Sequence, residues 1–529
     1  MSSLLCHRCG AVASSDAPVE NPRPPPGTRY GVLSKSNEAP LDSEAAAVQL
    51  EISKTDTRLE YLATEITRLR ARLKQLEEEH VSSSRYHSQN KAILSPLRRL
   101  PPEILGEIFS WTIPSLAECW DRERIRITDS PWSLTHVSRR WRAVAISNPS
   151  LWSLVAISYQ SDIDPTWAYP LSMIETQIER AQKLNIFFGG CETIDCRPQV
   201  DAFQCLAKYS SRWEQLMLDL TSDLVPLLAG LRNRVPLLQT LSIQWNEEEG
   251  PEGVQSIDCF QNAPCLVDVG VRNDSRPITF LFPPYQLTHY DADGHWEVHR
   301  GILRQSPTLV EARITIPLED EALSDFGGTI NLLFLRRLFV SYPAILTSLR
   351  FPALEELAMD AMDDDDRAIL ADVELSIVRS ASLRKLCFSG CPDAHRLVEI
   401  LKNYPSIIEL AIVIDTPACS YMALGLMQLL TRSIEVGSEA VVPELRRLTF
   451  GCSEEGWINR DAYLKMVTSH WNADHRALES ASLLLDPGLD PDAAKILDLN
   501  KFREEGLDLL LLEGENATKV MDTWLCWTL

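Results

Sequence analysis

The sequence predicts a mixed fold in three successive parts: an N-terminal coiled-coil helix, a small all-α unit and a C-terminal α/β repeat solenoid. Three observations predict it. Apolar residues recur at heptad spacing through residues 44–80. A Pro-opened amphipathic helix at Pro101–Phe109 is followed by a second apolar helical stripe from Leu134. The pattern Leu-x-x-Leu-x-[Ile/Val/Phe/Met] then recurs between Trp213 and Leu445.

The bulk numbers bound the function. A chain of 529 residues exceeds one ordinary core and holds two to four structural units. Hydrophobic content of 45% with 24% charged residues is that of a globular chain. A net charge of −23 argues against nucleic acid or an anionic membrane as the main ligand, since both need a basic footprint. Met1–Gly10 has no apolar signal run, and no stretch approaches the length of a membrane span. The expectation is an intracellular protein, in cytoplasm or nucleus, whose 13 cysteines are reduced thiols. Cys6-His-Arg-Cys9 is a single CxxC, short of the four ligands of structural zinc, so no metal is expected. Asp363 to Asp366 reads as a solvated loop, because the alternating ligands and turn glycine of a calcium loop are missing. The 10 histidines are dispersed, and no HExxH, GxSxG or Walker motif occurs. No cofactor and no catalytic activity are expected.

Residues 1–43 form a disordered tail, since 11–43 is rich in Pro, Ser, Gly and Ala around Pro22-Arg-Pro-Pro-Pro-Gly27. The coiled coil follows over 44–80. With Ile52 at position a, the a and d residues are Ile52, Thr55, Leu59, Leu62, Ile66, Leu69, Leu73 and Leu76, seven of the eight apolar. Charged Arg58, Glu60, Glu65, Arg68, Arg70 and Arg72 take the other faces. The stripe suits a homodimer, a partner coil or a helix folded back on its own chain. Ser82-Ser-Ser84 ends the periodicity and opens a linker over 81–95.

The all-α unit occupies 96–155. Pro101 and Pro102 fit the first turn of a helix, where a missing N–H costs nothing. Ile104, Leu105, Ile108 and Phe109 follow at i, i+1, i+4 and i+5 and are expected to share one face, and Leu134, Val137, Trp141, Val144 and Ala145 form a second stripe. Two short helices with this much apolar surface build a small core and still leave a patch that needs a partner.

Leu100-Pro101, Glu103-Ile104-Leu105, Ile108-Phe109 and Val137-Ser-Arg-Arg-Trp141-Arg142 resemble an F-box. That is the adaptor-docking motif of substrate receptors in Skp–cullin–F-box ubiquitin ligases. The resemblance covers Leu97 to about Trp152. Coiled coil, box and leucine-rich repeats in this order resemble the large F-box families of mushroom-type fungi. The resemblance implies docking to a Skp-family adaptor, and through it to a cullin, by Leu100, Pro101, Ile104, Leu105, Ile108, Val137 and Trp141. One departure is the charged insert Asp121-Arg-Glu-Arg-Ile-Arg126 within 112–131.

Residues 156–204 are a connecting helix and strand, and 205–515 an array of irregular repeats. Clear copies begin at Leu238, Leu266, Leu335, Leu354, Leu383, Ile407 and Leu445, weaker ones at Trp213, Leu287 and Leu309. Their mean spacing of about 26 residues lies inside the range of leucine-rich repeats. The Asn or Cys that usually follows the strand occurs only at Asn246 and Cys391, so the other turns must satisfy their backbones differently. Arg396–Leu401 and Ala423–Ile434 read as helices between strands, and strand plus helix per unit predicts a parallel sheet curved into a horseshoe. An open α/β fold of another kind lacks its Gly-rich phosphate loop. Ser482–Leu485 and Leu507–Leu512 are the last strands, and 516–529, with Trp524 and Trp527, caps the array.

In each copy the second and third apolar residues face the core, and the residues before, between and after them face the concave side. The candidate target-binding residues are therefore Gln244, Arg272, Asp291, Arg313, Phe339 and Asp360. Just before the second apolar residue, the last six copies carry Glu311, Arg337, Glu356, Lys385, Glu409 and Arg447. This alternation predicts a ladder of ion pairs across neighbouring strands. The expected function is a non-catalytic substrate receptor with an unknown target protein. The alternative is a scaffold that binds the adaptor without delivering substrates.

Overall fold

The structure is a computed structural model describing residues 28–120, 129–159, 170–192, 196–245, 256–273, 279–317, 327–360, 366–390, 392–414, 416–431, 442, 444–452, 457–473, 477–485 and 502–526. Cys6 and Cys9, the 121–126 insert, Asp363 to Asp365, Asn246, Cys391 and Trp527 lie outside these residues. The chain divides into two units, 1–100 and 101–529.

The first unit is dominated by one helix, Asp42–Ile93, of 52 residues. It begins where the sequence places the coil but passes through Ser82-Ser-Ser84 without a break, so the 81–95 segment is helix and not linker up to Ile93. The reason is local. No Pro or Gly interrupts it before Pro96, and polar residues on a solvated helix end the apolar stripe without ending the helix. Ile52, Leu59, Leu62, Ile66, Leu69, Leu73 and Leu76 are all between 40% and 58% exposed. Upstream, Arg29–Leu33 is a short helix, and Arg29 pairs with Glu38 and Glu44.

The second unit is built on one 14-stranded sheet whose strands pair in chain order and in parallel throughout. Strands occur at all ten repeat copies and at both expected C-terminal positions. Two more, Leu154–Ser158 and Leu184–Gly189, precede them, so the sheet begins well before residue 205. Successive strand residues alternate between two faces. One face carries the motif residues, as in Leu338 and Val340, Leu386 and Phe388, or Leu448 and Phe450, all in one continuous core. The first leucine of each copy, two residues ahead of its strand, is buried in the same core, for example Leu238, Leu335 and Leu383. Helices Trp296–Gln305, Asp366–Arg379, Ala394–Asn403, Pro417–Leu430 and Arg460–Trp471 are interleaved with the strands.

Carbonyls of the first motif leucine, ahead of the strand, find side chains of the next repeat. Gln286 donates to the Leu266 carbonyl at 2.7 Å, Thr308 to that of Leu287 at 2.8 Å and Ser380 to that of Leu354 at 2.8 Å. Each buried carbonyl kept satisfied in this way avoids a desolvation cost of about 1–3 kcal/mol.

The small helical region does not close on itself. Leu105, Phe109, Val144, Ala145, Leu151 and Trp152 belong to the core that continues under the first strands. Trp152 donates to the Ala145 carbonyl at 2.7 Å and meets Trp132 edge to face at 5.0 Å, while the Arg180 guanidinium covers its ring at 4.4 Å. From Pro101 onward the region expected at 96–155 is thus fastened to the sheet, and its last residues, from Leu154, are the first strand.

Candidate docking surfaces

The first surface lies on the Pro102–Ser110 helix, which Pro102 opens as the sequence predicts. One residue of helix turns a side chain by about 100°. Leu105 and Phe109 therefore point away from Ile104 and Ile108, and the structure separates them: the first pair is buried, the second exposed. Leu105, placed among the adaptor-binding residues by the resemblance, is a core residue at 0% exposure. Trp111 extends the Ile104–Ile108 series to i+7 and is 85% exposed. The same spacing that singled out the two isoleucines would have found it.

The second apolar stripe is broken. Leu134–Val137 and Arg139–Ser147 are separate helices, because Ser138 is extended and its hydroxyl accepts from the Trp141 N–H at 3.1 Å. Arg142 Nε ties the two by donating to the Thr135 carbonyl at 2.8 Å. Val137, at the break, is exposed rather than part of a shared buried face. Trp141 is half-buried, with its ring 4.7 Å from that of Phe109. Pro101 is exposed at the helix cap, and Leu100 is half-buried at the end of the first unit. Ile104, Ile108 and Trp111 form the continuous exposed series.

The second surface is the sheet face opposite the core. It carries all six target-binding candidates. Gln244 is in register with Arg272. Arg272 Nη2 and Arg313 Nη1 reach the two carboxylate oxygens of Asp291 at 3.1 and 3.0 Å, and Arg313 also meets Asp293 at 3.5 Å. The Arg313 guanidinium lies 5.1 Å from the centre of the Phe339 ring. Asp360 stands on the next strand, two residues beyond the partner of Phe339. Asp291 and Phe339 are buried, at 5% and 6% exposure, which corrects their reading as contact residues: they hold Arg272 and Arg313 in place. At the early edge of this face Asp219, in register with Gln244, is raised to about 7 by burial, and its Oδ1 has no hydrogen-bond partner.

The predicted charge ladder is in register at every rung: Glu311, Arg337, Glu356, Lys385, Glu409 and Arg447 are direct cross-strand partners. Arg337 meets Glu311 at 3.2 Å and Glu356 at 3.4 Å, Lys385 meets Glu356 at 3.5 Å, and Arg447 pairs with Glu409. The ladder is longer than the sequence reading had it. His289 stands in register between Asp268 and Glu311, 2.5 Å from the Asp268 carboxylate and 3.9 Å from that of Glu311. Each half-exposed rung is worth about 0–1 kcal/mol, so the column removes like-charge repulsion more than it drives folding. Glu356→Arg and Lys385→Glu each set like charges beside two neighbours. Combined, they restore the shared rung, so the double variant should lose about 0.5–1 kcal/mol less than the sum of the singles. Strictly additive losses in urea melts would remove the ladder as a coupled unit.

Hydrogen bonding to Asp268 raises the His289 pKa, outweighing the opposing effect of burial. A raised folded-state value stabilises the fold below the ordinary histidine pKa of about 6.5 and loses that contribution as pH rises through the raised value. Urea melts at pH 6 and pH 8.5 should therefore show wild type losing stability relative to His289→Gln on going up. A pH-independent difference would count against it.

The expected cap is placed otherwise. The Glu515–Cys526 helix does not close the end of the array but lies on this same face, against Val413 and Leu484. Among the described residues no helix is long and apolar enough to cross a membrane.

No family model and no curated protein matches the chain. Among solved structures it is similar to a crystal structure of a TLR13–ssRNA13 complex, with 13% identity and a TM-score of 0.27. The match covers 53% of this chain and 43% of that one.

Proposed function

We propose that this chain is the substrate-receptor subunit of a Skp–cullin–F-box type ubiquitin ligase, acting inside the cell. The observation that carries the reading is the exposed series Ile104, Ile108 and Trp111, on the helix that the F-box resemblance assigns to the adaptor. A stripe of this kind over a filled core needs a partner. The parallel sheet is read as a leucine-rich-repeat horseshoe whose polar face recognises a target protein. The chain performs no chemistry itself. It holds a target lysine near a charged enzyme carried by the cullin, and so raises the effective concentration of one to the other.

The exposed heptad stripe of the Asp42–Ile93 helix takes a second copy of the chain, making a dimeric receptor. Leu62→Lys with Leu69→Lys, two charges in one seam, should convert a dimer to a monomer in sedimentation equilibrium. A wild-type monomer at micromolar concentration would remove the dimer.

The scaffold reading draws on the Glu515–Cys526 helix, which already covers part of the polar face. Co-purification separates the readings. A receptor retains adaptor and cullin, and a bound target accumulates when the receptor is depleted. A scaffold retains the adaptor without that accumulation. Failure of the wild-type chain to retain the adaptor ends both.

A further inference from the structure

The Glu515–Cys526 helix leaves the last strand through Gly514, which has a positive φ of 69°, and runs back across the polar face. Its 12 residues reach about 18 Å, the width of about four strands. Its backbone comes near the Asp508–Glu513 and Ser480–Leu485 strands and also near Lys385–Ser389 and Glu356–Asp360, with two strands between these pairs. Ala517 and Met521, one turn apart, are buried against Val413 and Leu484, with Leu512 and Val520 beside them. Gly451 makes the seat: a Cβ there would stand 2.5 Å from Met521 Sδ. Alongside, Ala358, Cys387, Ala411, Thr449 and Ser482 are in register across five strands, and all are small and buried. The long side chains of the charge ladder stand two residues away along each of the first four strands. The face therefore contains a trough: a floor of small side chains bordered by the charge ladder, beside the in-register row Val413, Gly451 and Leu484 on which the helix is seated.

The occupant of this trough is a single short helix. A helix of this length is marginal by itself. Among its described side chains only Ala517 and Met521 are fully buried. Segments with few apolar contacts open locally at lower free energy than the sheet beneath them.

We propose that the trough is a helix-binding site with two alternative occupants. The resident is the chain's own C-terminal helix. Its competitor is an amphipathic helix of the target protein, presenting a small residue and a long flexible apolar residue at i and i+4, as Ala517 and Met521 do. This rests on reading the polar face as the target-recognition surface. The resident helix then sets a threshold: a target helix binds only by displacing it.

The test uses the full-length chain. In native-state hydrogen exchange, amides of 515–526 should exchange at least tenfold faster than those of the 447–452 and 480–485 strands. A fluorescein-labelled peptide of residues 513–529 should bind full-length Met521→Asp, whose own helix is ejected, at least tenfold more tightly than wild type. The same peptide carrying Met521→Asp should not bind. Gly451→Val, which fills the seat, should strip protection from 515–526 while strand 409–414 stays protected. Exchange of 515–526 only with global unfolding of the wild-type sheet would overturn the proposal without any variant. So would a peptide that binds neither chain. Adaptor retention, measured on the same samples, should not change. Its absence in wild type would count against the docking reading and leave the trough untouched.

Discussion

Ile108→Asp is expected to weaken adaptor binding at least 100-fold while leaving the fold within about 0.5 kcal/mol of wild type. In the free chain Ile108 is 41% exposed, so a carboxylate there stays solvated. In the proposed complex the same position would be covered, and burying an uncompensated charge in place of an apolar anchor costs about 3–4 kcal/mol. Trp111→Ala, at 85% exposure, should act in the same direction with no loss of stability. Leu105→Ala supplies the contrast. Its side chain is fully buried, so it should lose about 2–5 kcal/mol of folding stability and affect the adaptor only through the fold. Adaptor titration by calorimetry, paired with urea melts of each variant, reads both quantities. Ile108→Asp binding as wild type would end the assignment of this helix.

Much of the sheet was legible because its motif is a physical pattern. Leu-x-x-Leu-x-Ile puts two apolar side chains on one strand face and a third in the same core just ahead of it, and each copy read from Trp213 onward became a strand. Two strands of the same sheet that the repeat motif did not mark, one of them expected only as part of the 156–204 connection, show why the pattern has limits. At Leu154–Ser158 the core positions are Val155 and Ile157, and the place of the first leucine is taken by Trp152, itself buried. At Leu184–Gly189 the register slips between Leu184 and Asn185, so Leu184 pairs with Trp213 and the spacing to Ile186 is one residue short. A bulge of this kind leaves the burial intact and erases the sequence signal. The ladder was legible because register fixes it: residues equivalent in each copy are forced side by side. The C-terminal helix was not. Its apolar residues fit a cap at the end of the array as well as a cover on the face, and only the seat at Gly451, distant in sequence, decides between them.

The docking stripe and the polar face differ in kind, and the difference predicts how substitutions behave. Ile104, Ile108 and Trp111 are exposed and supported from behind by Leu105 and Phe109, so they can be changed singly. The Arg272–Asp291–Arg313 group is a network, in which each member holds another.

Asp291→Ala is therefore expected to cost about 2–4 kcal/mol of stability, against about 0–1 kcal/mol for an exposed ion pair. The carboxylate is 6% accessible, and both of its oxygens are engaged, one by Arg272 and one by Arg313. Removing it takes away the negative charge between two guanidiniums, with Arg313 only 15% accessible and Arg272 31%. The partial exposure of Arg272 lets water take up some of the loss, which places the cost below that of a fully buried pair. Asp293 remains near Arg313 at 3.5 Å and retains part of its pairing. Asp291→Asn keeps the acceptor and loses the charge, so it should fall between wild type and alanine. Phe339→Leu, which removes the ring beneath Arg313, should cost less than either, because the guanidinium keeps its carboxylates. Urea melts order the four proteins. If Asp291→Ala unfolds within 0.5 kcal/mol of wild type, the cluster is held by solvent, and Asp291 returns to the residues that meet a target directly.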